Sequence, residues 1–192
     1  MNSDPDSKTE SAEPAWVGQV IRFWFEGLSE AHWFARSEDT DRTIRDRFLP
    51  LYERLVTHDG LGVTGPRPTL AAVIVLDQFS RNMFRGDPRA YSADSIARRF
   101  ARTAVEQGFD VTMTRQERLF LYLPFEHSED REDQALALKL IKQLGNEDWT
   151  SDAVAHKVII DRFGRFPHRN GVLNRCSTAD ETAFLREPGS SF

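Results

Sequence analysis

The chain has 192 residues, 40% apolar and 29% charged, with 14 Phe and 4 Trp. A chain of that length buries enough surface to fold without staples, and this composition excludes a wholly disordered, collagen-like or membrane-bundle class. Its 25 Lys and Arg against 30 Asp and Glu give a formal net charge of -5, which argues against general nucleic-acid binding, whose usual footprint is a basic face.

Residues 1–14 are polar, acidic and nearly free of bulky apolar groups, and read as a disordered tail. Residues 15–192 read as a single helical domain. Pro14 opens the first helix, in which Val17, Val20, Ile21, Trp24, Phe25 and Leu28 form one apolar stripe. A second helix is predicted from about Glu38 to His58, with Ile44, Phe48, Leu51, Tyr52 and Leu55 inward and Pro50 kinking or splitting it. Gly60 to Pro68 reads as a Gly/Pro loop. Its Gly60-Leu61-Gly62-Val63-Thr64-Gly65 matches G-x-G-x-x-G, but a dinucleotide site needs a preceding strand, and here a helix precedes.

A third helix follows Pro68 and carries Leu70, Val73, Ile74, Leu76 and Phe79. Asp87-Pro88 reads as the N-cap and first-turn proline of a fourth, which Gly108 ends. Thr114 and Glu117 have capping-box spacing and open a helix that Pro124 interrupts. Ser128 is expected to cap the next, ending near Gly145. Another runs from about Ser151 to Phe163 and stops at Gly164, and a last short one starts at the Thr178–Glu181 capping box. No segment alternates as a strand does. The expected fold is all-α, with seven to nine helices packed as antiparallel pairs.

Cys176 is the single cysteine, so no intrachain disulfide or Cys-rich zinc site forms, and it reads as a semi-buried inert thiol. His32 and His58 read as surface or loop residues. His127, His156 and His168 with Glu126 lack metal-ligand spacing, so neither a metal nor a cofactor is expected. No secretory pattern and no apolar run near the roughly 20 residues of a membrane span is visible, which points to a cytoplasmic setting without membrane attachment.

Three segments are denser in polar chemistry than helix packing needs. In LDQFSRNMFRG (76–86), Asp77, Arg81 and Arg85 would share one helix face, with Gln78 and Asn82 beside them. In LPFEHSED (123–130), an N-cap at Ser128 explains Glu129 and Asp130, whereas Glu126 and His127 precede it and resemble an acid–base pair. In RFGRFPHRN (162–170), Arg165, His168, Arg169 and Asn170 crowd donors into a loop, as an anion clamp does. The bland alternative for all three is an internal ionic network with donors capping helix ends.

These segments, with Phe23-Trp24-Phe25 near the start and LNRCST (173–178) near the end, occur in an order that resembles the bacterial family called domain of unknown function nine hundred and twenty-four. The resemblance spans about Trp16 to Phe184 and implies a tetratricopeptide-like α-α superhelix, with no established reaction. It also implies Pro where this chain has Ser80 and Gly where it has Asn174.

Three functions compete. The first is a binding module whose Arg81, Arg85, Arg165 and Arg169 hold a small anion or acidic peptide. Asp77, Asn82, Glu129, His168 and Asn170 would complete that cavity, with Trp24 or Phe166 as an apolar wall. The second is an enzyme in which His127, backed by Glu126 or Glu129, is acid or base on a small anionic substrate. The third is a scaffold with a buried ionic network. The sequence favours the first narrowly and leaves the oligomeric state open.

Overall fold

The computed structural model describes residues 13–60 and 62–190, so most of the expected 1–14 tail lies outside the described residues. Glu13 is described, and accepts a hydrogen bond from Arg67 Nε at 3.0 Å. Every regular element among the described residues is helical. Helix α1 (Ala15–Ile21) runs into a π-helical turn, Arg22–Glu26. After α2 (Glu30–Trp33) and α3 (Glu38–Thr57), α4 (Pro66–Val73) passes through a second π stretch, Ile74–Phe79, into α5 (Ser80–Met83). There follow α6 (Asp94–Glu106), α7 (Arg115–Glu126), α8 (Arg131–Lys142), α9 (Glu147–Phe163) and α10 (Ala179–Phe184). With α4, its π stretch and α5 counted as one rod, the described residues form nine helices. None is long and apolar enough to cross a membrane.

Local signals set most boundaries. Both capping boxes form: Thr114 with Glu117 opens α7, and Thr178 with Glu181 opens α10. Gly108 and Gly164 take left-handed backbone, at φ 67° and 70°, where α6 and α9 end. Other expectations are corrected by packing. Pro50 sits inside an unbroken α3 of 20 residues, and Pro124 inside α7. A helix-interior proline costs about 3 kcal/mol. Each buried apolar side chain returns roughly 1.5–3 kcal/mol, and α3 buries Ile44, Phe48, Leu51, Tyr52 and Leu55.

Helix α4 starts at Pro66 rather than beyond Pro68, because Gly65 at φ 87° turns the chain and a first-turn proline lacks only an unused donor. Asp87 caps only the 3-10 turn Pro88–Ala90, and α6 starts later, at Asp94. Asp130, not Ser128, caps α8, and Asn146 starts α9 ahead of Ser151. Cys176 is exposed rather than semi-buried.

The rod of α4, π stretch and α5 runs through the core. Every residue from Thr69 to Ser80 is buried. Helix α4 packs on α6 and α7, the π stretch and α5 lie against α3, and α8 packs on both α7 and α9. Trp24 sits edge-on to Phe79 at 5.5 Å and to Phe120 at 5.3 Å. The core therefore surrounds the helix that carries Asp77.

Candidate functional site

Asp77 is a carboxylate in the most buried helix of the chain, with 0% of its surface exposed. It lies in the π stretch, a wider turn that often marks functional positions. A lone buried charge is prohibitive, so it must be paired. Arg81 Nη1 reaches Asp77 Oδ1 at 3.1 Å, Gln78 Nε2 donates to Oδ2 at 2.6 Å, and His127 Nδ1 is 2.9 Å from both oxygens. Burial alone would raise the Asp77 carboxyl, but Arg81, His127 and Gln78 together hold it well below the ordinary carboxylate range.

Burial pushes His127 below its ordinary value, with Arg81 and Arg169 adding to the effect and Asp77 opposing it. The ring is therefore neutral at pH 7 and carries one proton. Ionised Asp77 can only accept, so that proton sits on Nδ1 and leaves the Nε2 lone pair bare. Nε2 has no hydrogen-bond partner among the described residues, and the side chain is 15% exposed. A fixed tautomer with its bare nitrogen toward solvent is the geometry of a general base.

Arg81 is shared. It donates to Asp94 Oδ1 at 3.0 Å and Oδ2 at 3.1 Å, besides meeting Asp77. Burial lowers its guanidinium, but Asp77 and Asp94 outweigh that and raise it. Arg169 stands on the far side of Asp94, with Nη1 3.7 Å from Oδ2. Its guanidinium carbon lies 4.7 Å from the centre of the Tyr91 ring and 4.5 Å from that of Phe166. Arg169 is 6% exposed, yet its Nε is buried without a hydrogen-bond partner among the described residues, and Nη1 comes no nearer to Asp94 than 3.7 Å. A buried donor left unmet costs about 1–3 kcal/mol. Burial, with Arg81 nearby, lowers its guanidinium to about 10.

The histidines surround this pair. The His127 and His156 rings are 6.2 Å apart, and Phe166 lies 5.6 Å from both His156 and His168. Burial pushes His156 down to about 3, and burial with Arg169 pushes His168 down to about 4.

Of the residues expected to act together, Asp77, Arg81, His127, His168 and Arg169 converge. Others do not. Glu126 does not back His127, because neighbouring helix positions diverge. Its Oε1 is 3.2 Å from His156 Nδ1. Burial, with the charges of Asp152 and Asp77, raises its carboxyl to about 8. Asn82 and Arg85 hold Asp41 of α3 instead: Asn82 Nδ2 at 2.7 Å, and Arg85 through Nη2 at 3.0 Å and through Nε. Arg85 leaves the Asp77 face because α5 stops at Met83.

Arg165 is spent on Glu181, at 2.6 and 2.9 Å, and on the Cys176 carbonyl. Asn170 donates to Ser177 Oγ at 3.0 Å. Glu129 positions the loop, accepting from Phe166 N–H at 2.8 Å and from both Nη atoms of Arg175. Trp24 is core, whereas Phe166 does flank Arg169. Sequence reasoning missed Asp94 and Tyr91. Both fall inside the helix expected from Asp87-Pro88 and outside the three polar segments.

Residues 20–189 match a family described as "Bacterial protein of unknown function (DUF924)". The chain belongs to this family. It is similar to a solved structure, that of a protein of unknown function, ATU0120, from Agrobacterium tumefaciens. The two are 37% identical with a TM-score of 0.84, covering 89% of this chain and 97% of that one. No curated protein matches the chain. The two positions at which the resemblance implies other residues, Asn174 and Ser80, have defined surroundings. Asn174 adopts φ 54°, left-handed backbone that glycine takes freely and asparagine tolerates. Ser80 donates its hydroxyl to the Asp77 carbonyl at 3.0 Å.

Proposed function

We propose that the chain is an acid–base enzyme acting on a small molecule, with His127 Nε2 as the general base. Asp77 is the orienting carboxylate, and Arg81 holds Asp77 ionised. The observation that carries this reading is the fully buried Asp77 bonded to His127 Nδ1, with Nε2 left without a hydrogen-bond partner among the described residues. Neutral His127 takes a proton from a hydroxyl, a water or an acidic C–H of the bound molecule. The imidazolium that forms is stabilised by Asp77 and later returns the proton. This reading replaces the Glu126–His127 pair with Asp77–His127, and favours catalysis over a passive binding module. Arg85 and Arg165, two of the four arginines assigned to that module, are closed into internal ion pairs.

Two measurements test it. Nitrogen NMR at pH 7 is expected to show Nδ1 of His127 protonated and Nε2 bare. p-Nitrophenyl acetate, an activated ester that accessible neutral imidazole turns over, is expected to be consumed faster by the wild-type chain than by His127→Gln. That difference should fade as His127 becomes protonated at lower pH. An Nε2–H tautomer, or equal rates in the two proteins, overturns the reading.

A further inference from the structure

Resting on that acid–base reading, we infer that the substrate carries a carboxylate, and that Arg169 alone anchors it beside His127. Arg169 differs in kind from Arg81, Arg85 and Arg165, the other arginines of the expected anion site. Arg81, Arg85 and Arg165 each donate at least two hydrogen bonds to carboxylates of this chain. Arg169 donates none among the described residues, although it is more than nine-tenths buried. The carboxylate beside it, Asp94, already receives two donors of Arg81 and stands 3.7 Å away, beyond hydrogen-bond reach. The Tyr91 and Phe166 rings engage the guanidinium as cation–π partners. Such contacts leave the in-plane N–H donors available. Buried donors without partners mark a place that a ligand oxygen completes.

Charge selects the ligand. Arg81 and Arg169 carry two positive charges against the two negative charges of Asp77 and Asp94. His127, His156 and His168 are neutral at pH 7, as is Glu126. The cluster is thus balanced when empty. A monoanion adds one charge, which His127 cancels when it takes the substrate proton. A dianion adds a second charge that nothing in the cluster meets. One guanidinium fork also fits the two oxygens of a carboxylate side by side. Solvent reaches the cluster at the partly exposed Tyr91, Asp94, His127 and His168.

The test is a titration of the full chain with sodium acetate, sodium propionate and inorganic phosphate at matched ionic strength, following the His127 ring by NMR. Acetate and propionate are expected to shift the His127 signals saturably, with millimolar affinity, and to raise its pKa. Arg169→Gln should weaken acetate at least tenfold. Arg169→Lys, which keeps the charge and loses the fork, should do so too. Arg165→Lys, at an internal pair, should leave acetate affinity unchanged. His127→Gln should still bind acetate, read from the Tyr91 ring signals, so loss of the base and loss of the anchor are told apart. No saturable shift with either carboxylate in the wild-type chain overturns the proposal. So does equal affinity in Arg169→Gln, or tighter binding of phosphate than of acetate.

Discussion

Replacing Glu126 with Gln is expected to stabilise the folded chain increasingly as pH rises. Glu126 is 4% exposed, and burial together with the charges of Asp152 and Asp77 raises its carboxyl to about 8. In an unfolded chain a glutamate titrates near 4.3. Between those values the folded chain keeps a proton that the unfolded chain has released. Stability therefore falls by about 1.4 kcal/mol per pH unit, and levels only above about pH 8.

His156, beside it, has the opposite sign. Its folded value is about 3, against about 6.5 unfolded, so its contribution rises with pH by the same slope up to about pH 6.5. The two slopes offset each other from about pH 4.3 to 6.5. Beyond that Glu126 acts alone. Glutamine fills the same volume, cannot ionise, and leaves the histidines as they are. The stability difference between Glu126→Gln and wild type should thus grow by about 2 kcal/mol from pH 6.5 to 8. That is roughly 4–8 °C in melting temperature for a chain of this size. Urea unfolding at pH 5, 6.5 and 8 measures it. A difference that stays constant across those three values would mean that Glu126 is already ionised, and would refute the neutral Glu126–His156 pair.

Asp77→Asn should cost about 3 kcal/mol at pH 7, the low end for breaking a buried pair, because Arg81 keeps Asp94. The same change lets His127 adopt the Nε2–H tautomer. Urea unfolding and nitrogen NMR check the two effects, and a loss under about 1 kcal/mol contradicts the buried pairing. Asp133, 4% exposed, binds Arg98, Arg102 and Ser128 and so clasps α6 to α8. Asp133→Ala should cost about 2 kcal/mol, since both arginines can turn to water; a melting curve within 1 °C of wild type would contradict the clasp. Hydrogen bonding to Arg165 holds the Glu181 carboxyl at about 2. Its stabilisation is therefore complete above about pH 4.3 and lost as pH falls toward that folded value. Glu181→Gln should melt several degrees lower than wild type at pH 6 and converge with it near pH 2, and a gap that persists in acid contradicts the ion pair.

The helices were legible in the sequence wherever a signal is local. Capping boxes at Thr114 and Thr178 and the left-handed glycines Gly108 and Gly164 fall where their spacing puts them. The prolines misled, since the burial that overrides Pro50 and Pro124 comes from distant helices. Residues of the three polar segments do meet in the fold, but with partners that the sequence does not show. His127 has Glu126 beside it in sequence, and only the fold brings Asp77 to it across 50 positions. Asp94 is equally invisible, because its role depends on two arginines from different segments. The capping box at Glu181 was readable, while its second duty, holding Arg165, was not.

The separation of site from scaffold follows from which acids the fold offers each arginine. Asp41 lies on α3 opposite the end of α5, where Asn82 and Arg85 meet it, and that junction closes completely. Glu181 has its own helix start to hold it, with the Thr178 N–H donating at 2.7 Å, and Arg165 completes its shell. Both are clasps with each carboxylate met. Around Asp77 the fold supplies two acids for two arginines, and Arg81 takes most of both. What remains is one nitrogen of His127 and the donors of Arg169, a base and an acceptor-seeking cation on the same cluster. The acid–base reading rests on these two open groups lying together at one buried carboxylate. Both stand beside the buried Asp77, which is the arrangement the proposed reading draws on.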